Sequence, residues 1–377
     1  MPMRRSSLGL RFSFGLRFSL ALFLPALLLA APSGKCRPLS ARLAKPPTKS
    51  RAQAKPFVPT AESLFVQVLR SDDLFPYKGR QITTYWRTGR ATEVLVFHRP
   101  VEDRRLQFLN PEPQRGRLLV SDGAEQWEYE PHDKTLRHRR LSPGALDDDD
   151  LLSYTLLRAN YLLSVDPKPR TVAERKTYLV TIKRPTGGTL ARRFWIDRGS
   201  GLILKREIYG EDGKLAVTVG FSDITYHAAL ASSLFNLSSL AKTVRVSELP
   251  TAEIAAPLGT LRTHLGGFAS APATLGGYRL VGATTTKIGR HPVLHLRYSD
   301  GLNLVSVFEQ RRTQPGRPTL VPAGMRVVSI GATPVHVGHR ASLTTLNWDT
   351  PTLNITLMGE MGLTTLRTLA QHALGGK

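Results

Sequence analysis

The chain has 377 residues, with 52 Lys and Arg against 29 Asp and Glu, and a formal net charge of +23. Residues 1–56 hold 11 of those bases and no acid, so much of the excess lies ahead of any folded unit. Cys36 is the only cysteine, which excludes an intrachain disulfide framework and leaves stability to hydrophobic cores.

Met1 to Arg17 carries four arginines and no acid, and FSLALFLPALLLAA follows and ends in small residues. This is the basic, apolar and cleavage-site order of a signal peptide over 1–34, cut near Ala31. The apolar run falls short of the ~20 residues of a spanning helix and is interrupted by Pro25. Residues 35–58 are Pro- and Ala-rich, basic and without an aromatic up to Pro56, and read as a disordered tether that anionic lipid headgroups would attract. Lys35 directly before Cys36 argues against lipidation of that thiol.

Residues 59–236 read as a first domain. TAESLFVQVLRSDD places Leu64, Phe65, Val68 and Leu69 on one helix face behind an N-capping Thr60. Six short strand signals follow without an intervening helix, from GRQITTYWRTG to KTLRHRRL, with Asp122-Gly123 as a tight turn whose two positions need positive φ. The LRHRRL run alternates its bases over both strand faces, which suits a solvated edge strand, and export argues against nucleic acid as the partner. The Asp147 to Asp150 run precedes a helical insertion, LLSYTLLRANYLLSV, and reads as helix capping, since no glycine-spaced calcium loop accompanies it. The meander resumes at KTYLVTIKRP and runs through ARRFWIDR, LILKREIYG and KLAVTVGFSDITY, broken at Gly187-Gly188, Gly199 to Gly201 and Asp212-Gly213. Alternation at Phe194 and Ile196, Leu202 and Leu204, and Val217 and Val219 predicts one buried face.

Residues 237–262 read as an interdomain connection, and 263–377 as a small α+β domain closed by a helix with Leu363, Leu366 and Leu369 along one side. The fold class is therefore α+β and mostly antiparallel, a curved half-barrel sheet around helices followed by that smaller domain. No catalytic, zinc or nucleotide motif is present, so a non-enzymatic protein without cofactor is expected. His291 and His295 share a strand side but read as surface histidines, not metal ligands. A long sheet curled around a helix can leave an apolar trough, and Leu106 with Phe108, Trp127 with Tyr129, and Phe194 with Ile196 are the candidate lining pairs, with core filling as the competing reading. Alternation alone does not say which face is inside.

LGGYRLVG, Tyr298-Ser299-Asp300-Gly301-Leu302 running into VSVFEQ, and NITLMGEMGLTTLRTLAQHAL resemble the C-terminal domain of the RseB/MucB family of periplasmic sigma-E regulators. SDGAEQWEYEP, RKTYLVTIKRP, ARRFWIDRGSGLILKREIYGEDGKL and FSDITY resemble the N-terminal domain of that family, which shares the fold of the lipoprotein carriers LolA and LolB. The resemblance covers about residues 60–377. It departs from the family at Met358-Gly359-Glu360-Met361, which lacks the proline. It implies an exported regulator that binds the extracytoplasmic segment of a membrane anti-sigma factor and senses lipid in an apolar cavity. A periplasmic lipid or lipoprotein carrier of LolA type is the alternative. Asp300 and Gly301 read as a turn inside the second domain and not as a contact site.

Overall fold

The computed structural model describes residues 58–71, 74–100, 103–140, 150–248, 272–288, 291–312, 324–340 and 343–375. The expected signal peptide, nearly all of the tether, Cys36, most of the acidic run and residues 249–262 of the connection lie outside them.

Helix α1 (Ala61–Ser71) starts where the sequence places it: Thr60 Oγ1 accepts from Ser63 N at 3.2 Å and its carbonyl from Leu64 N. A twelve-stranded sheet then forms from two meanders. The first comprises β1 (Tyr77–Tyr85), β2 (Arg90–Arg99), β3 (Asp103–Asn110), β4 (Leu118–Asp122), β5 (Glu125–Glu130) and β6 (Thr135–Arg140). The second comprises β7 (Leu162–Val172), β8 (Arg175–Lys183), β9 (Leu190–Asp197), β10 (Ile203–Tyr209) and β11 (Leu215–Tyr226). Antiparallel pairing of β1 with β11 joins them into one sheet.

Three local expectations are revised. Helix α2 (Asp150–Asn160) stops short, and Leu162 onward is the edge strand β7 instead of further helix. Its Pro167 and Pro169 discourage a strand assignment, but proline is tolerated where no neighbour needs the N–H, and the register slips between Asp166 and Arg170. At the β4–β5 turn only Gly123 has positive φ (86°), and the Asp122 carboxylate closes the turn by accepting from Ala124 N and Glu125 N. The expected connection also begins inside the first unit. Leu237 is buried, α3 (Ser238–Ala241) follows, and β12 (Arg245–Glu248) pairs in parallel with β6, where Glu248 holds His138 Nδ1 at 2.9 Å.

The second unit is an eight-stranded antiparallel sheet of β13 (Thr274–Leu275), β14 (Tyr278–Ile288), β15 (His291–Ser299), β16 (Leu304–Arg311), β17 (Arg326–Ile330), β18 (Thr333–Arg340), β19 (Leu343–Asp349) and β20 (Leu353–Gly359). Its order is β13-β14-β15-β16-β20-β19-β18-β17. The closing helix α4 (Leu363–Gly375) drives Leu366 and Leu369 into a core built on Tyr298, Leu346, Trp348 and Leu357. The expected class, a mostly antiparallel curved sheet around helices followed by an α+β unit, holds.

His291 is exposed as expected, while His295 is half-buried. It stacks on Phe308 at 4.2 Å between ring centroids, and its Nε2 meets Ser306 Oγ at 3.0 Å. Burial first, and the Arg297 charge second, push its pKa down from the usual 6.5 to about 4. The unfolded chain therefore takes up a proton on this residue below about pH 6.5, which the folded one resists until about pH 4. Stability should fall by roughly 3 kcal/mol as pH drops through that window. His295→Gln should flatten this part of a urea-denaturation series between pH 7 and 4; an unchanged slope would assign the acid sensitivity elsewhere.

Candidate functional site

Residues paired across antiparallel strands share a sheet face, so the register decides what the sequence pattern leaves open. Phe194 pairs with Val180 on one side and Arg206 on the other, and the row continues through Val219, Thr83 and Thr92. Two residues along β2 from Thr92 is Val94, which pairs with Phe108, and Val96 pairs with Leu106. Phe194, Ile196, Phe108 and Leu106 therefore share one face, the inner face, on which α1 and α2 lie.

Trp127 and Tyr129 do not join them. Leu106 pairs with Leu119 and Leu119 with Glu128, so the neighbours of Glu128 on β5 point to the outer face. There they pack with Val120 and Leu136 beneath Phe235 and Leu237, which lead into α3, and Leu240 of α3 itself. Trp127 also stacks on His138 at 3.8 Å.

The inner face holds two adjoining apolar clusters. In the first, Leu64, Phe65 and Val68 of α1 and Leu157 of α2 pack on Val180, Ile182, Phe194 and Ile196. Phe65 meets Phe194 edge-to-face at 6.1 Å and Tyr154 at 5.8 Å. In the second, Leu106 and Phe108 lie half-buried against Tyr77, Val94, Val96, Leu204 and Phe221. Arg117, which donates to Glu128 at 3.0 Å through Nε, stands over the Phe108 ring at 5.0 Å. The helices thus cover one end of this face, while Leu106 and Phe108 stay half-buried at the edge of the other.

An open cavity of about 490 Å³ lies elsewhere, on the outer face beside β7, lined by Val165, Asp166, Arg170, Leu179, Arg193 and Trp195. None of the six sequence candidates lines it. Among the described residues no group of three metal-ligating side chains occurs, and no helix is long and apolar enough to cross a membrane.

The two sheets meet at a feature that the sequence reading takes for a purely internal turn. Ser299 to Asn303 does turn, with Asp300 Oδ1 accepting from Leu302 N at 2.9 Å and Asn303 N at 2.7 Å. It also plugs into the first unit. Tyr161 Oη donates to Asp300 Oδ2 at 2.6 Å, Asn160 Nδ2 to the Asp300 carbonyl at 2.9 Å, and Arg192 Nη2 to Asn303 Oδ1 at 2.8 Å. Burial, reinforced by the Asp300 charge, drives the Tyr161 phenol well above its ordinary pKa, and burial lowers the Arg192 guanidinium to about 10. A second contact lies at the start of α4, where Gly362 N and Thr365 Oγ1 both donate to Glu211 of the first unit. YSDGL is conspicuous in the sequence, but its role as a plug depends on Asn160, Tyr161 and Arg192, which have no sequence signature.

Residues 68–242 match the model of the MucB/RseB N-terminal domain. The complex structure of Pseudomonas aeruginosa MucA/MucB is similar at 19% identity and a TM-score of 0.53, covering 82% of this chain and 96% of that one. A crystal structure of MucB in complex with MucA(peri) is similar at 18% identity and a TM-score of 0.53, covering 82% and 97%. No curated protein matches the chain.

Proposed function

We propose, for a chain that belongs to the MucB/RseB family, a non-enzymatic regulator of envelope stress signalling that binds the extracytoplasmic segment of a membrane anti-sigma factor. The observation that carries this reading is the pairing of a MucB/RseB N-terminal domain with a second sheet docked against it, an arrangement similar in fold to MucB taken from complexes with MucA. The cleft between the two units receives the partner segment. The inner face, beside half-buried Leu106 and Phe108, receives an acyl chain; Phe194 and Ile196 are left out because α1 and α2 already pack on them, and Trp127 and Tyr129 because they serve the outer-face core. The basic N-terminal leader supports export to the periplasm, and the tether that follows supports a position near anionic lipid.

The test is capture by the purified mature chain from envelope extracts. Recovery of an anti-sigma factor supports the reading. Native mass spectrometry that instead finds a stoichiometric lipid and no protein partner would favour the alternative, a periplasmic lipid or lipoprotein carrier.

A further inference from the structure

The outer-face cavity beside β7 is built by an irregularity of that strand. Pairing with β8 runs from Leu162 to Asp166 and resumes at Arg170, so residues 167–169 stand opposite the single residue Tyr178 and leave the ladder. The Asp166 carboxylate holds this arc, accepting from Lys168 N at 2.9 Å and from Arg170 Nη2 at 2.8 Å. Those two contacts use about half of the acceptor sites of a carboxylate. They also keep the carboxyl below its usual pKa range, so it is an ionised acceptor. Two rows of paired residues run under the cavity: Asp166, Leu179, Trp195 and Lys205 in one, Ser164, Thr181, Arg193 and Glu207 in the other. Lys205 Nζ stands over the Trp195 ring at 4.3 Å from β10, and the cavity takes the β7 side.

We infer that this cavity is a binding site for a short neutral oligosaccharide. Its volume of about 490 Å³ falls within the ~300–1,000 Å³ of small-ligand sites. Leu179 and Trp195 form an apolar floor for the C–H face of a pyranose ring. Around them Ser164 and Thr181 both donate and accept, Asp166 accepts and Arg193 donates. Vicinal hydroxyls on an apolar ring need that mixture of partners. An anion is disfavoured, because each guanidinium of the lining already stands beside a carboxylate: Arg170 with Asp166, and Arg193 with Glu207 at 3.8 Å, which Lys205 also meets at 2.9 Å. An acyl chain is disfavoured, because these polar walls would lose water to hydrocarbon without a replacement partner. A peptide strand is disfavoured, because Pro167 and Pro169 bring no N–H to this stretch of the sheet edge. The site lies on the opposite face of the sheet from α1 and α2, and the inference stands apart from the partner-binding reading.

The experiment uses the mature chain as wild type, Trp195→Ala and Ser164→Tyr. A printed glycan array selects the best neutral binder, with N,N′-diacetylchitobiose, cellotriose and maltotriose among the neutral probes, and isothermal titration calorimetry then measures its affinity for all three proteins. Digalacturonic acid and lauric acid are titrated alongside as the anionic and acyl probes. Trp195→Ala removes the floor. Ser164→Tyr fills the cavity from an exposed position and keeps the test open should Trp195→Ala fold poorly. The expected result is saturable binding of a neutral sugar with a Kd below about 1 mM, weakened about 10-fold or more in each folded variant. Neutral-sugar binding that survives both substitutions would place the sugar elsewhere and overturn the assignment of the cavity. Binding of digalacturonic acid or lauric acid alone would overturn the neutral-sugar chemistry, and failure of every neutral glycan to bind would overturn the inference outright. None of these results bears on recovery of an anti-sigma factor from envelope extracts, so the two readings fail separately.

Discussion

Phe194→Ala is expected to destabilise the protein by about 3–5 kcal/mol, the cost of emptying a large buried aromatic site. Phe194 is 7% exposed and stands edge-to-face with Phe65, while Leu64, Val68 and Leu157 close round it from the helices. None of these neighbours can fill the void without drawing α1 or α2 into the sheet. The sequence offers Phe194 as either a cavity wall or a core residue, and denaturant unfolding separates the two roles. A cavity wall would lose about 1 kcal/mol or less, because its outer side has few packing partners to forfeit. Leu106→Ala provides the comparison on the same face. Leu106 is half-buried and away from both helices, so its loss should be smaller, about 1–2 kcal/mol. Equal losses at the two positions would contradict a face that is tightly packed under the helices at Phe194 and only half-buried at Leu106.

The contrast between those residues also shows how far the sequence reaches. Helix α1 is legible because Leu64, Phe65 and Val68 recur at helical spacing behind Thr60, and the hairpins are legible because Gly187, Gly188, Gly201 and Gly213 supply positive φ where strands reverse. Strand β7 is not, since its first residues continue the apolar run of α2 and its two prolines discourage a strand assignment. The assignment of faces is not legible either. Leu106 with Phe108 and Trp127 with Tyr129 present the same alternation, and only the pairing of Leu119 with Glu128 sends the second pair to the opposite side. Register is a property of neighbouring strands, so no single strand contains it. The same holds for Gly301, whose need for glycine comes partly from a turn and partly from a helix more than 140 residues away in the chain.

Asp300→Ala should cost about 2–4 kcal/mol and, unlike a comparable change inside one unit, should divide the unfolding transition in two. The comparable change is Asp197→Ala. Asp197 is 2% exposed, takes both Arg175 Nε at 3.1 Å and Nη2 at 3.2 Å, and accepts from Ser200 N at 2.9 Å and Ser200 Oγ at 2.6 Å. All of its partners lie in the first sheet or its turns. Its removal strands a charged, partly buried guanidinium, so a loss of about 3–5 kcal/mol is expected with the docking contacts left in place. Asp300 is 8% exposed and holds its own turn through Leu302 N and Asn303 N, while Asn160 and Tyr161 reach it from the first unit. Alanine there weakens the second unit and at the same time removes the acceptor that ties it to α2. With the tie gone, the two cores should melt separately in calorimetry, where the wild type and Asp197→Ala melt as docked units. A single transition for Asp300→Ala, merely shifted, would mean that the turn stabilises its own sheet and leaves the docking to Glu211, Gly362 and Thr365.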